Sequence, residues 1–156
     1  MMEPSDVGGL PGWRDLLNAV HGSVDVAHPV TCAAAALAAL HRSSVTVAGE
    51  QRRLVGEIDA WIAGNVCWPS TRPSRSLGGL VDRIVVADAH ARTALATGDP
   101  RSETTHRQWA RLAELLSEWV WLTCDSVVSY WGIPLCPNSS RTTSVLVPHR
   151  GDQPRG

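Results

Sequence analysis

The sequence predicts an all-α protein: a bundle of about four principal helices followed by an extended or disordered C-terminal tail. Three observations carry this expectation. Apolar residues recur at helical spacing along four stretches, the second stretch is dense in Ala, and segments rich in Gly, Pro and Ser separate the stretches. With 156 residues and 44% hydrophobic content, one domain over residues 1–134 can bury a sizeable core.

The first helix is expected from Pro11 to His21, where Trp13, Leu16, Leu17 and Val20 share a face and Gly22 provides the stop. A second opens at His28–Pro29 and runs to about Ala63. Val30, Ala33, Leu37 and Leu40 form its early stripe, and Leu54, Ile58, Trp61 and Ile62 its later one. We read these two stripes as one helix of roughly 55 Å, bent near Ser43–Gly49, where Ser, Thr and Val replace stronger helix formers. Gly64–Ser76 is a loop. The third helix covers Leu77 to about Ala96, with Ser76 as its N-cap and Gly98 and Pro100 beyond its end. The fourth begins at a capping box formed by Thr105 and Gln108, and Gly132 and Pro134 close it. Trp109, Leu112, Leu116, Trp119, Thr123 and Val127 trace its seam. Residues 135–156 read as the tail, with Val145-Leu146-Val147 its one apolar triplet.

A formal net charge of −1 gives no reason to expect a nucleic-acid partner. No apolar run is long enough for a transmembrane helix, and the N-terminal stretch lacks the character of a signal peptide. A cytoplasmic protein without membrane association is the expectation. All 14 basic residues are Arg, which excludes Lys-based Schiff-base chemistry. Cys32, Cys67, Cys124 and Cys136 show no Cys-x-x-Cys pair and read as thiols, with Cys32 and Cys124 as small core residues.

Four fragments stand in order along the chain: HPVTCAAAALAALHR, RRLVGEIDAWI, SRSLGGLVDRI, and HRQWARLAELLSEWVWLTCDSVV followed by IPL. Between Pro29 and Pro134 this succession resembles an uncharacterised bacterial family of helical proteins, common in actinobacteria and catalogued as a domain of unknown function. The resemblance implies an all-α fold and no particular activity. Trp119 and Trp121 depart from it, standing where a Tyr-containing stretch is usual.

Several residues are candidates for a site. Arg72, Arg75 and Ser76 converge on a predicted helix N-terminus, where free N–H groups and the dipole favour an anion. The Gly-Lys-Ser/Thr order of a P-loop is absent, and the plainer reading is a polar loop whose Ser76 caps a helix. Asp59 and Asp82 lie within apolar stretches and read as structural ion pairs with Arg42, Arg53 or Arg83. Glu103–His106 is the sole Glu-x-x-His pair, too few for a metal-carboxylate bundle. Glu114 and Glu118 read as a solvated face, and His41 and His90 as boundary residues. No cofactor and no catalytic residue is expected.

Trp119 and Trp121 are two residues apart on a helix and so point about 200° apart. With Trp131 they suggest either a central fourth helix buried on two sides or, the reading we follow, a surface for a protein partner, a second copy of the chain included. The expected function is therefore a non-enzymatic helical interaction module. The competing expectation is a small-anion or phosphometabolite-binding protein, or an enzyme acting on such a compound, built on Arg72, Arg75 and Ser76.

Overall fold

The computed structural model describes residues 9–23, 28–43, 48–66, 68 and 75–127, with side chains described as far as Thr123. Five α-helices occur among these residues, and no strand: α1 Trp13–Val20, α2 Pro29–Arg42, α3 Ala48–Asn65, α4 Leu77–Thr97 and α5 Glu103–Val127. The all-α reading therefore holds. None of these helices is long and apolar enough to cross a membrane. The expected tail, Trp131, Arg72, Cys67 and Cys136 lie outside the described residues, as does the side chain of Cys124.

In α1, Leu16, Ala19 and Val20 turn inward. Gly22, at φ +79°, then reverses the chain; its N–H reaches the Ala19 carbonyl, and that of Ser23 reaches Asn18. His28 starts α2 with its ring: Nδ1 accepts from the Val30 N–H at 3.1 Å, while Pro29 takes the first helical position.

The single long helix expected from His28 to Ala63 is two helices. Ser43 has extended backbone at ψ 140°, and its N–H closes back on the Ala39 and Leu40 carbonyls. Helix α3 then returns antiparallel to α2, so that the rings of His28 and Trp61, from the outer ends of the pair, meet edge to face at 4.5 Å. The physical reason is burial: a hairpin seats Val30, Ala34 and Leu37 in the same core as Leu54, Ile58 and Ile62, whereas a continuous rod would carry the two stripes apart.

Helix α4 runs antiparallel to α3 and lies at the centre, with Leu80, Val81, Ile84, Val85 and Ala91 buried. Helix α5 folds back along it. The start of α5 is set by Ser102, whose Oγ accepts from the Thr105 N–H at 3.1 Å. Thr105 is buried and donates its hydroxyl to the Asp99 carbonyl at 3.0 Å, so the helix begins earlier than the Thr105–Gln108 capping box implied. The buried seam of α5 is Thr105, Leu112, Leu115 and Trp119; Leu115 takes the place expected for Leu116, and Trp109 faces out. Cys32, expected in the core, is exposed.

One core cluster draws on all five helices, with Leu16, Leu37, Ile58, Ile84 and Trp119 each almost completely enclosed. Trp119 is 0% exposed, and its indole N–H donates to the Pro11 carbonyl at 2.9 Å, which ties the start of α1 to α5.

Candidate functional site

The N-terminus of α4 shows how the anion-site residues are used. Ser76 accepts from the Gly79 N–H at 2.8 Å and donates its hydroxyl to Asp59 Oδ2 at 2.6 Å. Asp59 Oδ1 accepts from the Gly78 N–H at 2.8 Å. A carboxylate from α3 therefore already occupies the position an external anion would take, and its charge repels one. Arg75 is exposed and approaches Glu118 on α5 at 4.0 Å, so it does not join Ser76 in a cradle.

The Asp–Arg ion pairs expected of Asp59 and Asp82 are not formed. Asp82 instead receives the His41 Nε2–H at 2.8 Å and the Gln51 side-chain amide at 2.9 Å, joining α4 to α2 and α3. The arginines are engaged elsewhere. Arg42 donates to the Val20 carbonyl at 3.3 Å, Arg83 lies over the Gly79 carbonyl at 3.4 Å, and Arg53 is held between Glu50 and Glu57 on its own helix. The geometric reason is reach: Asp59 and Asp82 face neighbouring helices, while Arg53 points to solvent and finds the carboxylates one turn away. The Arg53 hydrogen bond holds the Glu50 carboxyl below its usual range, and the Glu50 hydrogen bond and charge raise the Arg53 guanidinium.

A further pair was not anticipated. Asp88 is 4% exposed, and the His21 Nε2–H lies 3.0 Å from both of its carboxylate oxygens. The signal was present, because Leu77, Val81, Ile84, Asp88 and Ala91 follow a heptad spacing that puts Asp88 on the buried seam of α4. Both His–Asp contacts fasten helix ends to α4. His90 is exposed. His28 differs from these two: Nδ1 accepts from Val30, so Nε2 carries the proton and donates to the Gly9 carbonyl at 2.9 Å. Burial pushes its pKa below the ordinary histidine value, against a smaller opposing contribution from the Gly9 bond.

Among the described residues, no group of three or more His, Cys, Asp or Glu side chains is arranged to hold a metal ion.

The outer surface of α5 is built differently from these sites. At about 100° per residue its side chains fall into three sectors. Thr105, Leu112, Leu115 and Trp119 face the core. Glu103, Arg107, Arg111, Glu114 and Glu118 form a charged sector, with ion pairs Arg107–Glu103 at 2.7 Å and Arg111–Glu114 at 3.2 Å. Between the two lies a sector without Asp, Glu or Arg: His106, Trp109, Ala110, Ala113, Ser117 and Val120 are exposed there, with the half-buried Leu116 at its core-side edge and Trp121 at its charged edge, in line with Glu103. Trp121 is 78% exposed and Trp109 40%. Trp119, expected at an interface, is in the core; only Trp121 of that pair faces out.

No family model, curated protein or solved structure matches the chain. The resemblance to an actinobacterial family therefore rests on the quoted motifs alone.

Proposed function

We propose that this protein is a helical interaction module that binds a protein partner through the uncharged sector of α5. The observation that carries the reading is Trp121, a large apolar side chain 78% exposed where the charged sector of α5 meets the sector of Trp109, Ala113 and Val120, which holds no Asp, Glu or Arg. Exposing Trp109, Val120 and Trp121 together leaves apolar surface in water that docking would remove, and exposed Trp is the side chain most enriched at binding hot spots. Ala110, Ala113 and Ser117 between them are small enough to let another helix approach closely. The anion-binding alternative loses support because Asp59 fills the α4 N-terminus.

Ala113→Arg tests this reading. The site is exposed and Arg is a good helix former, so the fold is expected to be unaffected. In gel filtration of native extract, the tagged wild-type protein is expected to elute above the 16.8 kDa of the single chain and the variant to elute near it. Identical elution of the two proteins would overturn the proposal.

A further inference from the structure

We propose that His28 is a proton-operated latch: its neutral ring holds the start of α2, the Gly9 strand end and Trp61 together, and a second proton on the ring releases all three. The proposal is independent of the α5 face. Pro29 has no N–H, so Val30 carries the first amide of α2 that needs an acceptor. His28 Nδ1 is that acceptor at 3.1 Å, and the Nε2–H donates to the Gly9 carbonyl at 2.9 Å. One tautomer of the neutral ring satisfies both bonds at once. The ring also meets Trp61 of α3 edge to face at 4.5 Å, so three parts of the chain converge on one imidazole.

The imidazolium cannot keep this arrangement. With both nitrogens protonated, Nδ1–H would face the Val30 N–H, donor against donor, and a positive charge would sit at a helix N-terminus, where the dipole disfavours it. The Gly9 bond would survive the proton, but burial of the ring outweighs it and pulls the His28 pKa below the ordinary histidine value. Among the described residues no charged side chain bonds to His28. Segment 9–12 faces it through the Gly9 carbonyl, α2 through the Val30 N–H, and α3 through Trp61. Glu57, one turn from Trp61, is exposed and tied to Arg53. A ring whose closed position disfavours the charged form takes its proton more readily in water, so acid swings it out and uncaps α2. The opening stops at Pro11, whose carbonyl is held independently by the Trp119 indole at 2.9 Å. Leu10, packed partly buried against the core, is the residue that loosens.

Nuclear magnetic resonance of the intact chain, titrated from about pH 7.5 to about pH 5, tests the latch. At the upper limit the ring nitrogens are expected to show the Nε2–H tautomer, with cross-relaxation between the His28 and Trp61 rings. As His28 takes its second proton, that cross-relaxation is expected to vanish, and the Val30 and Leu10 amide signals to move in the same step. The Trp119 indole signal is expected to stay in place. In His28→Asn, which caps α2 without titrating, the step at Val30 and Leu10 is expected to be absent. The ring signals of the wild-type chain decide the matter even if that variant folds poorly. An Nδ1–H tautomer at the upper limit, or a doubly protonated ring still in contact with Trp61, would overturn the proposal. So would the same step at Val30 and Leu10 in a folded His28→Asn chain, because another histidine would then drive it.

Discussion

Gly78 is where α3 and α4 touch backbone to backbone. A Cβ built there lies 2.2 Å from the Val55 carbonyl oxygen and 3.0 Å from its carbon. Neither atom belongs to a side chain, so no rotamer change relieves the clash in Gly78→Ala; the helices must part by about 1 Å to restore van der Waals contact. The same joint holds the Asp59 hydrogen bonds to the Gly78 N–H and the Ser76 hydroxyl, which separation would stretch. Overpacking of this kind costs about 1–3 kcal/mol and a weakened cap about 1 kcal/mol, against less than about 1 kcal/mol gained in helix propensity. The expected net loss is about 2–3 kcal/mol. Gly56, one residue beyond Val55 on α3, is the control: nothing lies within 4 Å of a Cβ there, and Gly56→Ala is expected to stabilise by about 0.5–1 kcal/mol. Urea unfolding followed by circular dichroism measures both. A Gly78→Ala chain as stable as wild type would refute the close approach of α3 and α4.

Other substitutions probe single contacts. His28→Asn keeps an N-capping side chain but removes a group that titrates. Because burial lowers the His28 pKa in the folded chain, its contribution is complete above the unfolded value near about pH 6.5 and is lost as pH falls through the lower folded value. Stability measured from pH 7.5 downward should therefore fall less steeply in the variant, and an unchanged acid limb would count against the assignment. Trp119→Phe removes the bond to the Pro11 carbonyl and leaves a cavity, for an expected loss of about 2–3 kcal/mol in thermal or urea unfolding. Trp121→Ser should change stability by no more than about 0.5 kcal/mol while weakening binding of the proposed partner; strong destabilisation would mean that this side chain is packed.

The helical class was legible because burial follows periodicity: Leu54, Ile58 and Ile62, or Leu80, Val81 and Ile84, are core residues wherever a 3.6-residue repeat is read. The break after Arg42 was less so. The stretch from Ser43 to Val47 is poor in helix formers, but whether such a stretch bends or ends a helix depends on what the two halves pack against. The seam of α5 differs from the expected one at Trp109, which faces out, and at Leu116, whose place Leu115 takes; the spacing along one helix fits either set. Large residues mark a core only where a neighbouring helix lies, and Trp109 has open surface around it. Asp59 illustrates the opposite limit. Its place inside an apolar stretch was visible, yet its partners come from Ser76 and Gly78 on another helix, and spacing along one helix does not encode contacts between two. The split between Trp119 and Trp121 followed directly from helix geometry.

The central claim, that the uncharged sector of α5 is an occupied docking face, is tested most directly by site-specific photo-cross-linking in the native cell. A photoreactive residue is placed at Ala113, at Ser117, and, for comparison, at Arg111 on the charged sector. The account predicts discrete adducts from positions 113 and 117 and little from position 111, with adducts of twice the chain mass if the partner is a second copy. Equal yields from all three positions, or none from 113 and 117, would contradict it.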